Sequence, residues 1–92
     1  MAVINVPGKK TRDIMLYALS TCGWCKKTRE LLEELGVEYN YCYVDQLQGE
    51  ERDRALLDMY PFNPQGNFPT VVIDKEKALV GYKEQELREL LK

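Results

Sequence analysis

Residues 13–25 read DIMLYALSTCGWC, and this stretch decides the fold. Its first seven residues form an apolar run of strand length, and Ser20-Thr21 supply the polar turn that usually caps a following helix. Beyond Lys26 the apolar residues recur at helical spacing, at Leu31, Leu32 and Leu35, and Gly36 stands where a helix commonly stops. The sequence therefore predicts a strand, a turn and a helix, with two cysteines at the helix N-terminus.

The position of these two cysteines favours a reactive thiolate. The first turn of a helix has unpaired backbone N–H groups and the positive end of the helix dipole. Cysteines so placed commonly have pKa values of roughly 3.5–7.5, compared with about 8.5 for a free cysteine. Cys22 is therefore the candidate nucleophile, and Cys25, one turn deeper, would resolve the mixed disulfide that Cys22 forms. Lys26 and Lys27 either support the thiolate or are simply solvated.

The composition bounds the class of protein. The chain has 92 residues, 30% of them charged and 45% apolar, with a net charge of -2, which is typical of one small soluble domain. No basic stripe is available for nucleic acid, and the longest uncharged stretch, 14–25, is too short to span a bilayer. Met1 to Pro7 lacks the basic start of a signal peptide. We expect a cytoplasmic monomer with no nucleic-acid or membrane partner.

The numbers of cysteines and histidines limit the kinds of reactive site and metal site that the chain can form. Three cysteines, two of them closely spaced, fit a reducing compartment and a working dithiol better than a disulfide scaffold. The chain has no histidine, which rules out a Cys-His nucleophilic site and a metal site with histidine ligands. The third cysteine, Cys42, lies in a tyrosine-rich apolar segment. It is either a small buried hydrophobic residue or, if it lies within disulfide reach of the other two, a third redox thiol.

The remaining segments complete an α/β pattern. Strands are predicted over 39–44, 70–73 and 78–80, helices over 50–60 and 83–92, and a loop rich in turn formers over 62–69. The first helix lies between two strands, which implies a parallel βαβ crossover. The order is β-α-β-α-β-β-α, a mixed four-stranded sheet flanked by helices. Residues 1–12 form an N-terminal extension, in which 3–6 is either an extra strand or a disordered arm, and 13–92 form the domain.

This pattern resembles the thioredoxin fold, and most of all the glutaredoxin-like redoxins, over about residues 14–91. The most specific part of the resemblance is Cys22-Gly23-Trp24-Cys25 combined with Asn67-Phe68-Pro69-Thr70. It implies that Pro69 is cis and lies against the dithiol, and that the main chain of Phe68 pairs with an extended substrate. The substrate-binding residues it implies are Trp24, Phe68, Pro69, Thr70, Gly81 and Tyr82. Trp24 is either a flat contact surface for a partner or packs over the loop.

The chain departs from glutathione-dependent glutaredoxins at three places. Leu19 stands where those proteins usually have a lysine, Asn67-Phe68 replaces Thr-Val before the proline, and 80–83 reads VGYK in place of a Gly-Gly element. The segment from Gly81 looks more like the Gly-Phe-Arg element of redoxins that serve ribonucleotide reductase and are recharged by a thioredoxin-reductase-type flavoprotein.

The resemblance thus implies a thiol-disulfide oxidoreductase that reduces protein disulfides without a bound cofactor. Its electron donor would be a flavoprotein or a ferredoxin-linked disulfide reductase, with glutathione as the less favoured donor. The alternative is a glutaredoxin that carries a [2Fe–2S] cluster between two copies, since Gly23 is the small residue that such proteins place after the first cysteine.

Overall fold

A computed structural model describes residues 3–92 of the chain as a five-stranded mixed sheet with three helices. The strands are β1 (Ile4–Val6), β2 (Ile14–Ala18), β3 (Tyr39–Tyr43), β4 (Thr70–Ile73) and β5 (Lys77–Val80). The helices are α1 (Gly23–Glu34), α2 (Gly49–Met59) and α3 (Glu84–Leu90), and a short 3₁₀ turn spans Val44–Gln46. The thioredoxin-like fold is therefore confirmed, and the predicted β-α-β-α-β-β-α order gains one strand at its start.

The strands lie in the order β1-β3-β2-β4-β5. The central pair β2 and β3 is parallel, with Leu16 opposite Tyr41, as the crossover through α1 requires. The other three pairs are antiparallel. In one of these, Tyr17 near the end of β2 lies opposite Thr70 at the start of β4. The end of β2 and the start of β4 therefore meet at one edge of the sheet.

The N-terminal segment adds an edge strand to the sheet. β1 pairs with β3 through Ile4 opposite Tyr41, so the extra-strand alternative is confirmed. After β1, Lys9 forms a bridge to Val37 beside the end of α1. A Cβ at Gly8 would lie within 2.7 Å of the Val37 carbonyl carbon, so this close approach requires glycine. The prediction about a signal peptide depends in part on Met1 and Ala2, which lie outside the described residues.

Two hydrophobic cores lie on opposite faces of the sheet. The larger core packs Leu31 and Leu32 of α1 and Leu87 of α3 against inward side chains of β2, β3, β4 and β5. The smaller core packs Met59 of α2 against Tyr17, Cys42, Val44 and Val72. Of the apolar residues of α2, only Met59 is fully buried, and Ala55 and Leu56 are half-buried. One helix therefore covers the second face less completely than two helices cover the first.

The three tyrosines of β3 lie on one face of the sheet and contact α1 through Arg29. The guanidinium of Arg29 lies 4.0 Å from the ring centre of Tyr41. It also donates hydrogen bonds to the hydroxyl of Tyr43 at 2.7 Å and to that of Tyr39 at 3.3 Å. A cation held over an aromatic face, with its N–H groups paired, stabilises the contact. The helix that begins at the cysteines is thus anchored one to two turns further along.

The ends of two elements differ slightly from the prediction. The helix begins with Cys22 as its N-cap, and Ser20 instead donates its N–H and hydroxyl to Asp45. Gly36 follows the helix with a φ of +70°, the conformation expected where a helix stops. The hairpin turn is one residue shorter than predicted, because Lys77 already pairs with Ile73.

Two leucines on the helices give a matched test of the larger core. Leu32 in α1 is 0% exposed and Leu57 in α2 is 69% exposed. We expect Leu32→Ala to lower the free energy of unfolding by about 2–5 kcal/mol, because it removes buried methyl groups and leaves a cavity. Leu57→Ala should change it by less than about 0.5 kcal/mol. Urea unfolding of both variants measures this, and equal losses would contradict the assignment of the core.

Candidate active site

The two cysteines of the CxxC motif lie in different environments at the start of α1. Cys22 is the N-cap and is half-buried, and its Sγ accepts a hydrogen bond from the Cys25 N–H at 3.2 Å. Cys25 is 1% exposed and belongs to the larger core. Both are free thiols. Of the two sulfurs, Cys22 is therefore the one that a substrate can reach.

The main chain of Leu19 holds both cysteines. Its carbonyl accepts from the Cys22 N–H at 3.2 Å, and its N–H donates to the Cys25 Sγ at 3.5 Å. Burial, followed by the hydrogen bond with the Cys22 side chain, raises the pKa of Cys25 to about 12. Cys25 is therefore a thiol at neutral pH.

The loop that precedes β4 lies at the same edge of the sheet as the cysteines. The Phe68–Pro69 peptide bond is cis, as the resemblance predicts. The Pro69 carbonyl accepts from the Gly81 N–H at 2.7 Å, which continues the pairing of Thr70 with Val80 beyond the strands. The loop is thus fixed to β5 on its far side and faces α1 on its near side.

An open groove of about 280 Å³ lies between α1 and this loop. Five residues line it: Trp24, Phe68, Pro69, Gly81 and Tyr82. The Trp24 ring is 58% exposed and stacks on the Tyr82 ring with centroids 5.6 Å apart. The Lys27 ammonium lies 5.1 Å from the Trp24 ring centre. Trp24 therefore packs against Tyr82 across the groove and keeps an exposed face, and its contact with a partner stays a prediction.

The structure brings together five of the six residues predicted to bind substrate and places the sixth beneath them. Thr70 is 0% exposed, and its hydroxyl donates to the Asn67 carbonyl at 2.7 Å. Its side chain thus supports the loop from inside. The same carbonyl accepts from Asn63, which is 4% exposed. Sequence reasoning missed Asn63, because an asparagine among turn formers gives no signal of burial.

A second cleft, of about 370 Å³, lies on the other side of Phe68. Its walls are mainly apolar, and Asp45 and Arg52 bring one charge of each sign to it; the lining residues are Leu19, Val44, Asp45, Leu47, Arg52, Leu56 and Phe68. The hydrogen bonds from the Ser20 side chain and N–H lower the pKa of Asp45 below its usual value. An ionised carboxylate therefore lies beside Leu19, where a glutathione-binding protein has a cation.

Cys42 lies apart from the dithiol. It is 1% exposed and belongs to the smaller core, whereas Cys25 belongs to the larger core on the other face of the sheet. Burial raises the pKa of its thiol to about 11. This environment favours the interpretation of Cys42 as a small buried hydrophobic residue over the alternative of a third redox thiol.

A CxxC motif that begins a helix and faces a cis-proline loop across the edge of a mixed sheet defines the thiol-disulfide redox proteins of the thioredoxin fold. Within that class, the chain belongs to the glutaredoxin family. The model of the glutaredoxin family matches residues 14–78.

Three relatives show how far the similarity extends. A glutaredoxin from Methanosarcina mazei Go1 is 47% identical, with a TM-score of 0.90, over 99% of this chain and 88% of that one. Methanoredoxin from Methanosarcina acetivorans is 48% identical, with a TM-score of 0.88, over 91% and 88% of the two chains. An uncharacterised glutaredoxin-like 8.6 kDa protein from the rubredoxin operon of Clostridium pasteurianum is 29% identical over 85% of this chain and 96% of its own length. Among residues 3–92, no helix is long and apolar enough to cross a membrane.

The raised pKa of Cys25 predicts the pH dependence of its alkylation. Iodoacetamide reacts with the thiolate, whose fraction grows about tenfold per pH unit below the pKa. In a Cys22→Ser, Cys42→Ser variant, we expect the alkylation rate of Cys25 to rise without a plateau from pH 7 to about pH 10, because burial, the largest cause of its raised pKa, remains when Cys22 is replaced. A small free thiol with a pKa near 8.5 should level off in the same series. A plateau for Cys25 below about pH 9 would contradict the buried environment.

Proposed function

We propose that this protein reduces disulfide bonds of other proteins through Cys22 and Cys25, with an electron donor other than glutathione. The observation that carries the proposal is the unequal burial of two thiols one helical turn apart, with the reachable one two residues before Trp24, which lines the groove. A half-buried Cys22 can meet a substrate sulfur, and a Cys25 that is 1% exposed is kept from doing so. The difference in access assigns the attack on the substrate disulfide to Cys22 and the second exchange to Cys25.

The proposed reaction transfers two electrons in two exchanges. The Cys22 thiolate attacks one sulfur of the substrate disulfide, that S–S bond breaks, and the second substrate sulfur leaves as a thiolate. Cys25 then attacks the Cys22 sulfur, which releases the first substrate sulfur. The proton of Cys25 and one from solvent end on the two substrate thiols. The substrate is reduced to a dithiol, and the protein is left with a Cys22–Cys25 disulfide.

The groove supplies the contacts that the first exchange requires. An extended peptide can pair with the main chain of Phe68, in the manner of an added strand. The exposed face of Trp24 and the ring of Tyr82 offer flat apolar area for the side chains beside the substrate cysteine. These contacts support a protein or peptide as the substrate, since they recognise backbone and apolar surface.

The charges near Leu19 support a donor other than glutathione. Glutathione carries carboxylates, and their recognition needs cations or N–H donors. Leu19 offers an apolar side chain in place of the usual lysine, and the ionised Asp45 in the same cleft repels a carboxylate. We propose that a flavoprotein or a ferredoxin-linked disulfide reductase recharges the dithiol by docking as a protein.

Cluster binding is the second candidate function, and one observation favours it. Gly23 is exposed, and a Cβ there would meet no atom within 4 Å, so packing within one copy does not require glycine. Among residues 3–92, no group of three His, Cys, Asp or Glu side chains could hold a metal ion. A [2Fe–2S] cluster would therefore need ligands from a second copy and from added thiols. Iron and sulfide content with a visible absorption band after anaerobic purification would identify it.

The two cysteines should respond differently to replacement by serine. With dithiothreitol as reductant and insulin as substrate, Cys22→Ser should abolish turnover, because the attacking sulfur is lost. Pre-reduced Cys25→Ser, freed of dithiothreitol before insulin is added, should accumulate a mixed disulfide, because the resolving thiol is absent and no small thiol replaces it. Turnover and intact-protein mass spectrometry measure the two outcomes. Cys42→Ser is the matched control and should retain activity, since Cys42 lies in the other core. Equal residual activity of the first two variants would contradict their separate roles.

A direct comparison of donors tests the second half of the proposal. Wild-type protein should be reduced by NADPH with a thioredoxin-reductase-type flavoprotein and poorly by glutathione with its reductase. The double variant Leu19→Lys, Phe68→Val should raise the glutathione-linked rate, because it supplies a cation and restores the usual residue before the proline. NADPH consumption measures both rates.

Leu57→Lys adds the same charge at an exposed position that lines neither cleft, so it should leave the glutathione-linked rate unchanged. Efficient turnover of the wild-type protein with glutathione would contradict the proposal that the electron donor is not glutathione. No gain in the double variant would show that the two positions are not what blocks glutathione.

A further inference from the structure

Asn63 forms a buried polar cluster beneath the loop that carries Phe68. Its Nδ2 donates to the Asn67 carbonyl at 2.7 Å and to the Thr70 Oγ1 at 2.8 Å. The Thr70 hydroxyl donates to the same Asn67 carbonyl at 2.7 Å. Asn63 and Thr70 are 4% and 0% exposed. Two buried side chains therefore converge on a single backbone oxygen.

The asparagine is itself held in place by the end of α2. Its N–H donates to the Met59 carbonyl at 3.0 Å, and its carbonyl accepts from the Gly66 N–H at 3.1 Å. Met59 is 2% exposed and packs in the smaller core. The cluster therefore connects the loop to a buried part of the fold, although the side chain of Asn67 itself is exposed.

The geometry of the peptide bond connects this cluster to the groove. A trans peptide is planar, and its C=O and N–H point in opposite directions. Because the Asn67 carbonyl points inward to Asn63 and Thr70, the N–H of Phe68 points to the other side of the loop. That N–H makes no hydrogen bond with any group in residues 3–92. It is therefore available to an acceptor from outside the chain.

We propose that Asn63 is a positioning residue, which presets the Phe68 N–H for pairing with the backbone of a disulfide substrate. It acts through the Asn67 carbonyl and the Thr70 hydroxyl and touches neither the substrate nor the reacting sulfurs. The inference rests on the proposed reduction of protein disulfides. It adds that rapid attack by Cys22 on a peptide depends on a loop orientation fixed in advance.

Two reactions of Cys22 separate positioning from general stability. The pre-reduced protein is mixed with an internally quenched peptide that contains one disulfide, and the rate constant of a single turnover is measured. The rate of carboxymethylation of Cys22 by iodoacetamide is measured at the same pH. The first reaction needs backbone pairing with Phe68, and the second needs only a reachable thiolate. No electron donor is required for either reaction.

We expect Asn63→Ala to lower the peptide rate constant by about three- to tenfold, the value of one or two lost hydrogen bonds. The iodoacetamide rate should change by less than about twofold. An unchanged peptide rate would overturn the proposal, and so would a parallel fall in both rates. A wild-type protein that fails to reduce the peptide would instead contradict the proposed function, so the two failures are distinguishable.

Substitutions of Thr70 provide a second test if Asn63→Ala does not fold. Thr70→Ser keeps the hydroxyl and should retain the wild-type peptide rate. Thr70→Val keeps the shape and the preference for a strand but removes the donor to Asn67. It should lower the peptide rate by about threefold and leave the iodoacetamide rate unchanged. Equal peptide rates for the serine and valine variants would overturn the role of this cluster.

Discussion

The antiparallel pairing of β2 with β4 is the constraint on which the site depends. Tyr17 lies opposite Thr70, so the residues that follow β2 and those that precede β4 must meet at one edge of the sheet. The first group continues into Cys22, and the second contains Phe68 and Pro69. The dithiol and the cis-proline loop are more than 40 residues apart in sequence, and backbone hydrogen bonds of the sheet bring them together.

Each half of the site is then fixed by polar contacts of its own. On the cysteine side, the main chain of Leu19 bonds to both members of the CxxC motif. On the proline side, Asn63 and Thr70 hold the Asn67 carbonyl from beneath. Buried polar groups are costly unless they are paired, so these contacts fix single orientations of the two loops. The groove between them is consequently formed before any substrate arrives.

The two clefts beside Phe68 differ in the side chains that they present. One cleft presents the rings of Trp24 and Tyr82, and the other presents aliphatic side chains with a single acid and a single base. Neither has the cluster of cations that a peptide carboxylate would select. Within the glutaredoxin family, this chain therefore keeps the redox pair and presents few charged groups in the two clefts beside Phe68.

The sequence by itself determined the elements and the redox pair. The apolar run before Cys22, the helical spacing after it and the proline before β4 are local signals, and local signals are read from neighbouring residues alone. They predict the order of the elements and the two cysteines, whereas the cis bond at Pro69 was implied by the resemblance to glutaredoxin-like redoxins. The edge strand β1 was left open, because three residues with no periodic pattern are stabilised only by their partner.

Only the tertiary structure decided which side chains meet. The burial of Asn63 and Thr70, the stacking of Trp24 on Tyr82 and the approach of Asp45 to Ser20 join residues from different elements. The N-cap was likewise decided in the folded structure, where Cys22 caps the helix and Ser20 donates to Asp45. Hydrogen-bond partners and burial depend on which distant segments the sheet brings together. The residue types alone do not show which of these segments lie close in space.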